Sequence, residues 1–332
     1  MSALIEVREA GVSYPHAGAV GGRLAAVEAV SFTLQAGEIV GLVGESGSGK
    51  SSLGRGILGL VPLATGEIHW KGERIDALPR GAFRRLRREL QLVFQDPQAS
   101  LDPRMTIAES VGEPLRALAP EITTAARAAR VAAILGEVGL ALELASRYPH
   151  QLSGGQLQRA AIARALIVDP VFIVCDEPVS ALDVSVQGQI VNLLSRIRRE
   201  RGLACLFISH NLAVVTRLAE RVLVMYRGRI VESAASGTIL EKPRHPYTRL
   251  LLDSVPAVDT ASARRLVARA VPAIGMATGA PVRGCSFAAR CPYALPRCLS
   301  ETPALQVLEG GGAAACHRAA EWPAGLPPEA QA

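Results

Sequence analysis

Apolar and polar residues alternate through the first part of the chain and then stop alternating. Leu4, Ile5, Val7 and Val12 stand between polar neighbours, and Ala29 to Leu34 repeats the habit, as half-buried strands do. A Gly-rich loop, Gly18 to Gly22, is expected between them. The run Glu38-Ile39-Val40-Gly41-Leu42-Val43 is nearly all apolar and β-branched, the pattern of a strand buried on both faces. Val171 to Cys175 and Leu203 to Ile208 share it, with a helical pattern from Val186 to Arg199 between them. Strand, helix, strand at this spacing predicts a parallel sheet with right-handed crossovers. Glu121 to Arg147 is Ala-rich and helical with no strand nearby. It predicts a helical subdomain, about residues 97 to 170, inserted into the sheet domain. The expected fold is therefore α/β, with an antiparallel β portion at the N-terminus. Beyond about Glu241 the pattern degrades, and the Pro-rich stretch 321–332 is expected to be a flexible tail.

Composition narrows the class without choosing a ligand. The 332 residues are 49% hydrophobic, enough for one large domain with a smaller one attached, and the net charge is +6. No uninterrupted apolar stretch reaches the roughly 18 residues that cross a bilayer. The opening residues, Met1 to Arg8, have no apolar run after a basic start, so no secretory leader is expected. A cytoplasmic protein that reaches a membrane only through partners is the expectation. Cys175 and Cys205 fall inside apolar runs and read as buried strand residues.

Three segments carry chemistry. Gly44-Glu45-Ser46-Gly47-Ser48-Gly49-Lys50-Ser51 matches the phosphate-binding loop pattern G-x4-G-K-S, follows a buried strand and opens a helix. Glycines let successive backbone N–H groups turn toward phosphate oxygens, and the helix dipole faces the same anion. Lys50 is expected to reach the β- and γ-phosphates, Ser51 to ligate Mg²⁺, and Ser52 to belong to the same binding set. A strand ends in Asp176-Glu177, at the sheet edge where ligands sit. Asp176 is expected to hold Mg²⁺ and Glu177 to polarise the attacking water. Leu152-Ser153-Gly154-Gly155-Gln156 precedes a helix, which makes it either a second anion site or a helix cap with Ser153 at its head.

Leu-Ser-Gly-Gly-Gln also carries a resemblance: the sequence resembles the ABC ATPase family, whose signature it is. By that resemblance Ser153, Gly154, Gly155 and Gln156 would act in trans, closing over the γ-phosphate held by another subunit's loop. Gln95, in Phe94-Gln95-Asp96-Pro97, matches the family's glutamine that senses Mg²⁺ and the attacking water. Ser180-Ala181-Leu182-Asp183 matches the loop that crosses the dimer interface, and His210 the switch histidine that contacts the γ-phosphate. Tyr14 stands where an aromatic stacks on adenine in the family. ATP and Mg²⁺ are the cofactors the resemblance implies, and the complete set of motifs implies hydrolysis.

Phe94 to Arg104, Pro178 to Ser185 and Pro243-Arg244-His245-Pro246-Tyr247-Thr248 look like the oligopeptide and dipeptide importer subfamily, which nickel importers share. The resemblance implies an ATPase domain over 1–240 and a C-terminal extension over 241–320. It implies import of peptides or a related small solute at the cytoplasmic face of the inner membrane. The implied partners are a second ATPase subunit, a paralogue rather than an identical copy, two permease subunits and, indirectly, a solute-binding protein. Cys285, Cys291, Cys298 and Cys316 lack the C-x2-C spacing of most zinc folds and resemble the cysteines that hold a 4Fe–4S cluster in such ATPases. Zinc and empty thiols are the alternatives. Arg80 to Arg88 reads as a solvated helix face or a contact with lipid headgroups. It lacks the aromatic interleaving of a nucleic-acid surface, so no nucleic-acid partner is expected. A non-transport ABC ATPase acting on nucleic acid or ribosomes, and a chain that binds nucleotide without turnover, are the rival functions.

Overall fold

Strands that bury one face and strands that bury both end up in different sheets. The computed structural model describes residues 3–16, 22–254, 283–309 and 311–326. The expected loop from Gly18 to Gly22 lies outside the described residues except for Gly22, as do positions 255–282 of the extension and 327–332 of the tail. The first sheet is antiparallel, in the order β2 (Arg23–Leu34), β1 (Ile5–Pro15), β4 (Thr65–Trp70), β5 (Glu73–Arg74). Its strand β1 buries Ile5, Val7, Ala10 and Val12 and leaves Arg8 and Glu9 in solvent.

The second sheet holds β3 (Ile39–Val43), β6 (Leu90–Val93), β7 (Phe172–Asp176), β8 (Ala204–Ser209), β9 (Arg221–Tyr226), β10 (Arg229–Ala235), β11 (Gln306–Val307) and β12 (Ala313–Ala314). Their order is β11-β12-β10-β9-β3-β8-β7-β6. From β9 to β6 every pairing is parallel, as expected. Side chains alternate between two cores. Ile39, Val43, Ile173, Cys175, Cys205 and Phe207 face one, while Val40, Leu42, Phe172, Val174, Leu206 and Ile208 face the other. With a core on each side no position faces water, which is why these strands read as unbroken apolar runs.

Helices fill the crossovers. They are α1 (Lys50–Ile57), α2 (Arg80–Leu86), α3 (Pro97–Ser100), α4 (Ile107–Leu118), α5 (Thr124–Glu137), α6 (Gly154–Leu166), α7 (Val184–Arg201), α8 (Leu212–Leu218), α9 (Ser236–Glu241) and α10 (Pro246–Asp253). Everything between β6 and β7 is helical or loop, and α3 to α6 form the insertion. Thr106 and Glu109 cap α4 reciprocally and Thr123 caps α5, so each helix starts where its polar residue can satisfy free N–H groups. The basic run is only partly solvated. Arg84 and Arg85 are exposed, but Arg87 lies over the Phe83 ring and donates to the Leu58 carbonyl.

The C-terminal residues add to the sheet instead of trailing from it. Ala313 and Ala314 pair with Ser233 and Glu232 of β10. The tail expected to be flexible from 321 is packed as far as Leu326, which is buried and donates its N–H to the Pro243 carbonyl. Trp322 stacks edge-on against Tyr293 and under Arg318. Two large apolar side chains in a Pro-rich stretch supply the burial that its composition seemed to lack.

β3 can lie against α8 only because Gly41 has no side chain: a Cβ there would stand 2.0 Å from Val215 Cγ1. Gly41→Ala is expected to lower stability by about 2–3 kcal/mol through overpacking, read as a fall in the thermal unfolding midpoint.

Candidate functional site

The phosphate-loop pattern occupies the turn between β3 and α1. Gly49 has φ 103°, and a Cβ on it would meet the Ala26 carbonyl oxygen at 2.1 Å. A Cβ on Gly44 would meet the Met225 carbonyl oxygen at the same distance. Both positions therefore need glycine, one for its backbone angle and both for room. Lys50 is 4% exposed, with its ammonium held by the Gly44 and Glu45 carbonyls at 2.8 and 2.9 Å. Burial lowers its pKa, and Glu177, Asp176 and Glu45 oppose that drop.

The two carboxylates at the end of β7 have separate surroundings. Asp176 is 2% exposed and accepts a hydrogen bond from Ser51 Oγ at 2.7 Å. Burial raises its pKa, while Ser51 and Arg55 pull the other way. Glu177 sits in the left-handed backbone region, φ 46°, which costs a non-glycine residue about 1–2 kcal/mol. It is held there by its N–H to the Ile208 carbonyl at 3.0 Å and by Ser180, which donates to its carbonyl at 3.1 Å. Glu177 Oε2 receives Gln95 Nε2 at 3.3 Å and lies 3.1 Å from His210 Nδ1.

One open cleft of about 830 Å³ gathers most of the expected residues: Glu45, Ser46, Gly47, Gly49, Lys50, Ser51, Ser52, Gln95, Glu177 and His210. Gly44 and Ser48 shape the loop from behind, Ser48 being buried. Tyr14 stands beside the cleft and donates its hydroxyl to Ser52 at 3.1 Å. Ser153, Gly154, Gly155 and Gln156 are not in its lining. They open α6, where Ser153 and Gln156 form a capping box and Gly154 and Gly155 pack toward Leu182 and Val186. The helix-cap reading of this segment is thus present within the single chain.

Sequence reasoning missed the C-terminal side of the cleft. Leu250 and Leu251 of α10 and Ser254, which caps its C-terminus, line it, and Tyr247 Oη accepts the Glu45 N–H at 2.7 Å. Glu232 anchors the start of that helix: its buried carboxylate accepts the Arg244 and His245 N–H groups at 2.7 and 2.8 Å. Burial pushes Glu232 up to about 7 and the His245 imidazole down to about 3. Pro243 to Thr248 was a legible motif, but nothing in it shows which distant loop it touches.

The four C-terminal cysteines lie on one module. Burial raises Cys285, Cys291 and Cys316, the last to about 11, and neighbouring thiols of the same group add to each rise. Among the described residues no three His, Cys, Asp or Glu side chains are grouped so as to hold a metal ion. The metal centre expected at these cysteines therefore has no support in the geometry, although four soft donors within electrostatic reach suit one chemically. At the cleft the donors are hard oxygens, Ser51 Oγ and Asp176, which suit Mg²⁺ held by few protein ligands beside phosphate.

Fold and cleft together define a nucleotide-binding cassette. The ABC transporter family profile matches residues 27–180, and the profile of the oligopeptide/dipeptide transporter C-terminal region matches residues 231–298. The chain is 46% identical over 283 residues, 85% of each protein, to the oligopeptide transport ATP-binding protein OppF of Escherichia coli (strain K12). It is 55% identical over 241 residues, 72% of this chain and 38% of the other, to the glutathione import ATP-binding protein GsiA of Shigella flexneri (serotype 5b, strain 8401). Among solved structures, a dimeric post-hydrolysis state of the cassette MJ0796 bound to ADP and Pi matches with a TM-score of 0.64 and 29% identity. That match covers 70% of this chain and 98% of that one. The chain belongs to the ABC transporter ATPases, in the group that carries the oligopeptide/dipeptide transporter C-terminal region.

Glu232 supplies a pH signature. Its folded pKa near 7 stands above the ordinary 4.5, so the folded chain keeps a proton that the unfolded chain releases. The stabilisation is complete below about pH 4.5 and is lost as pH rises through 7. His245 acts in the opposite sense, and comparing variants at one position cancels it. The stability advantage of the wild type over Glu232→Gln should shrink by about 3 kcal/mol between about pH 4.5 and pH 8, measured by urea unfolding.

Proposed function

We propose that the chain binds Mg–ATP in this cleft and hydrolyses it to power import of oligopeptides. The observation that carries the reading is that Lys50, Ser51 and the Gln95–Glu177–His210 group line one cleft at the carboxyl edge of a parallel sheet, with the buried Asp176 bonded to Ser51 behind them. The loop N–H groups and Lys50 hold the phosphates, and Tyr14, bonded to Ser52, would stack on adenine. Ser51, Asp176 and Gln95 would hold Mg²⁺, which offsets phosphate charge. Glu177 orients the attacking water, with Gln95 and His210 fixing its carboxylate. The charge that develops on the γ-phosphate is met by Lys50, by His210 and by a second subunit's counterpart of the Ser153 to Gln156 segment, while this chain's own segment would close the partner's site.

That second subunit is needed because the chain's own Ser153 to Gln156 lie outside its cleft. We infer a head-to-tail dimer with a paralogous ATPase, attached to two permease subunits on the cytoplasmic face of the membrane and served by a solute-binding protein. No helix among the described residues is long and apolar enough to cross a membrane. The oligopeptide and glutathione cargoes named for OppF and GsiA favour small peptides over nickel, and neither relative lends anything to the nucleic-acid reading. Residues 1–240 form the ATPase unit of this proposal and 241–320 its extension. The four cysteines enter it as ligands of a 4Fe–4S cluster, supported by four soft donors on one module.

Glu177→Gln in the complex purified with its permeases should keep ATP binding and lose at least about 100-fold in hydrolysis, with uptake of di- and oligopeptides lost in parallel. Unchanged turnover would show that Glu177 does not orient the attacking water. Anaerobically purified protein should contain iron and acid-labile sulfide; zinc, or no metal, would end the cluster proposal.

A further inference from the structure

The second residue of the phosphate loop is an acid, and its carboxylate has a dedicated partner. Arg290 Nη1 and Nη2 meet Glu45 Oε2 and Oε1 at 2.8 and 2.9 Å, a bidentate fork across 245 residues of sequence. Arg290 is itself fixed, with its guanidinium over the rings of Tyr226 and Phe287 at 5.8 and 5.7 Å. Those rings and Tyr247 form one buried aromatic group with centroids 4.5 to 5.5 Å apart. Tyr247, in turn, accepts the Glu45 N–H, while the Glu45 carbonyl accepts from Lys50. Every polar group of Glu45 is therefore committed: N–H and side chain to the C-terminal module on one side, carbonyl to the phosphate-binding lysine on the other.

Free, the Glu45 carboxylate would stand beside a triphosphate as a like charge; paired, it adds no net charge to the loop. The loop's inward-facing N–H groups also depend on its backbone holding one conformation, and the Tyr247 and Arg290 contacts fix a residue at its start. We propose that Arg290 and Tyr247 are positioning residues for the phosphate loop, and that the C-terminal module sets ATP affinity by neutralising and clamping Glu45. The clamp presupposes that the cleft binds ATP.

The test uses the full-length chain, with Mg–ATP binding measured by calorimetry, and the permease complex, with ATPase kinetics. Arg290→Gln should weaken ATP binding about tenfold and raise KM for ATP to a similar extent, with kcat within about twofold. Glu45→Gln alone should cost less, and combined with Arg290→Gln it should recover most of the lost affinity, because the unpaired carboxylate is gone. Arg290→Lys, which keeps the charge but not the fork, should fall between wild type and Arg290→Gln, and serves if Arg290→Gln folds poorly. Melting of the nucleotide-free chain reports folding separately. Wild-type affinity in Arg290→Gln, or a double variant no better than Arg290→Gln, overturns the clamp. A wild-type chain that does not bind ATP overturns the site itself, a different result from an unaltered variant of a binding chain.

Discussion

A buried ammonium beside two carboxylates, with an open cleft among them, is the constraint around which the rest of the molecule is arranged. Lys50 and Asp176 are each almost wholly desolvated, and burial moves both pKa values toward the neutral forms. Such groups are costly to keep unless hydrogen bonds and neighbouring charges hold them. Here the Gly44 and Glu45 carbonyls hold the ammonium and Ser51 holds the carboxylate. The pairing of Ser51 with Asp176 spans 125 residues, and only the parallel register of β3, β8 and β7 brings those strand ends to one edge. Two cores sandwich the sheet and bury these strands on both faces.

Glu177 shows the same logic on a smaller scale. A backbone angle that disfavours any residue with a Cβ turns its carboxylate away from the strand and toward Gln95 and His210. Gln95 belongs to the segment that leads into the helical insertion, and His210 follows β8. One carboxylate thus gathers the ends of three elements. The Ser153 to Gln156 segment is kept out of the cleft and committed to capping its own helix.

The C-terminal extension is part of this arrangement. It lengthens the central sheet through β12 and places α10 along the cleft. It also meets the phosphate loop at Glu45 through Tyr247 and Arg290. The buried Glu232 ties the start of α10 to β10, so the sheet, the helix and the loop share one chain of hydrogen bonds.

The sequence by itself determined the α/β class, the unbroken apolar strands, the helical insertion and the phosphate loop, because these depend on local periodicity and on residues close together in the chain. The short segments around Gly44, Asp176, Gln95 and His210 were each legible for the same reason. Strands β9 and β10 went unread: they are joined through Arg227 and Gly228, both at positive φ, a tight hairpin marked by little more than one glycine. Tertiary structure alone decided that Ser51 finds Asp176, that Glu177 is shared by Gln95 and His210, and that Glu45 is held by Tyr247 and Arg290. It also decided that residues 321 to 326 pack instead of fraying. Pairings across hundreds of residues are set by sheet register and packing, and a local pattern holds no record of which distant partner it will meet.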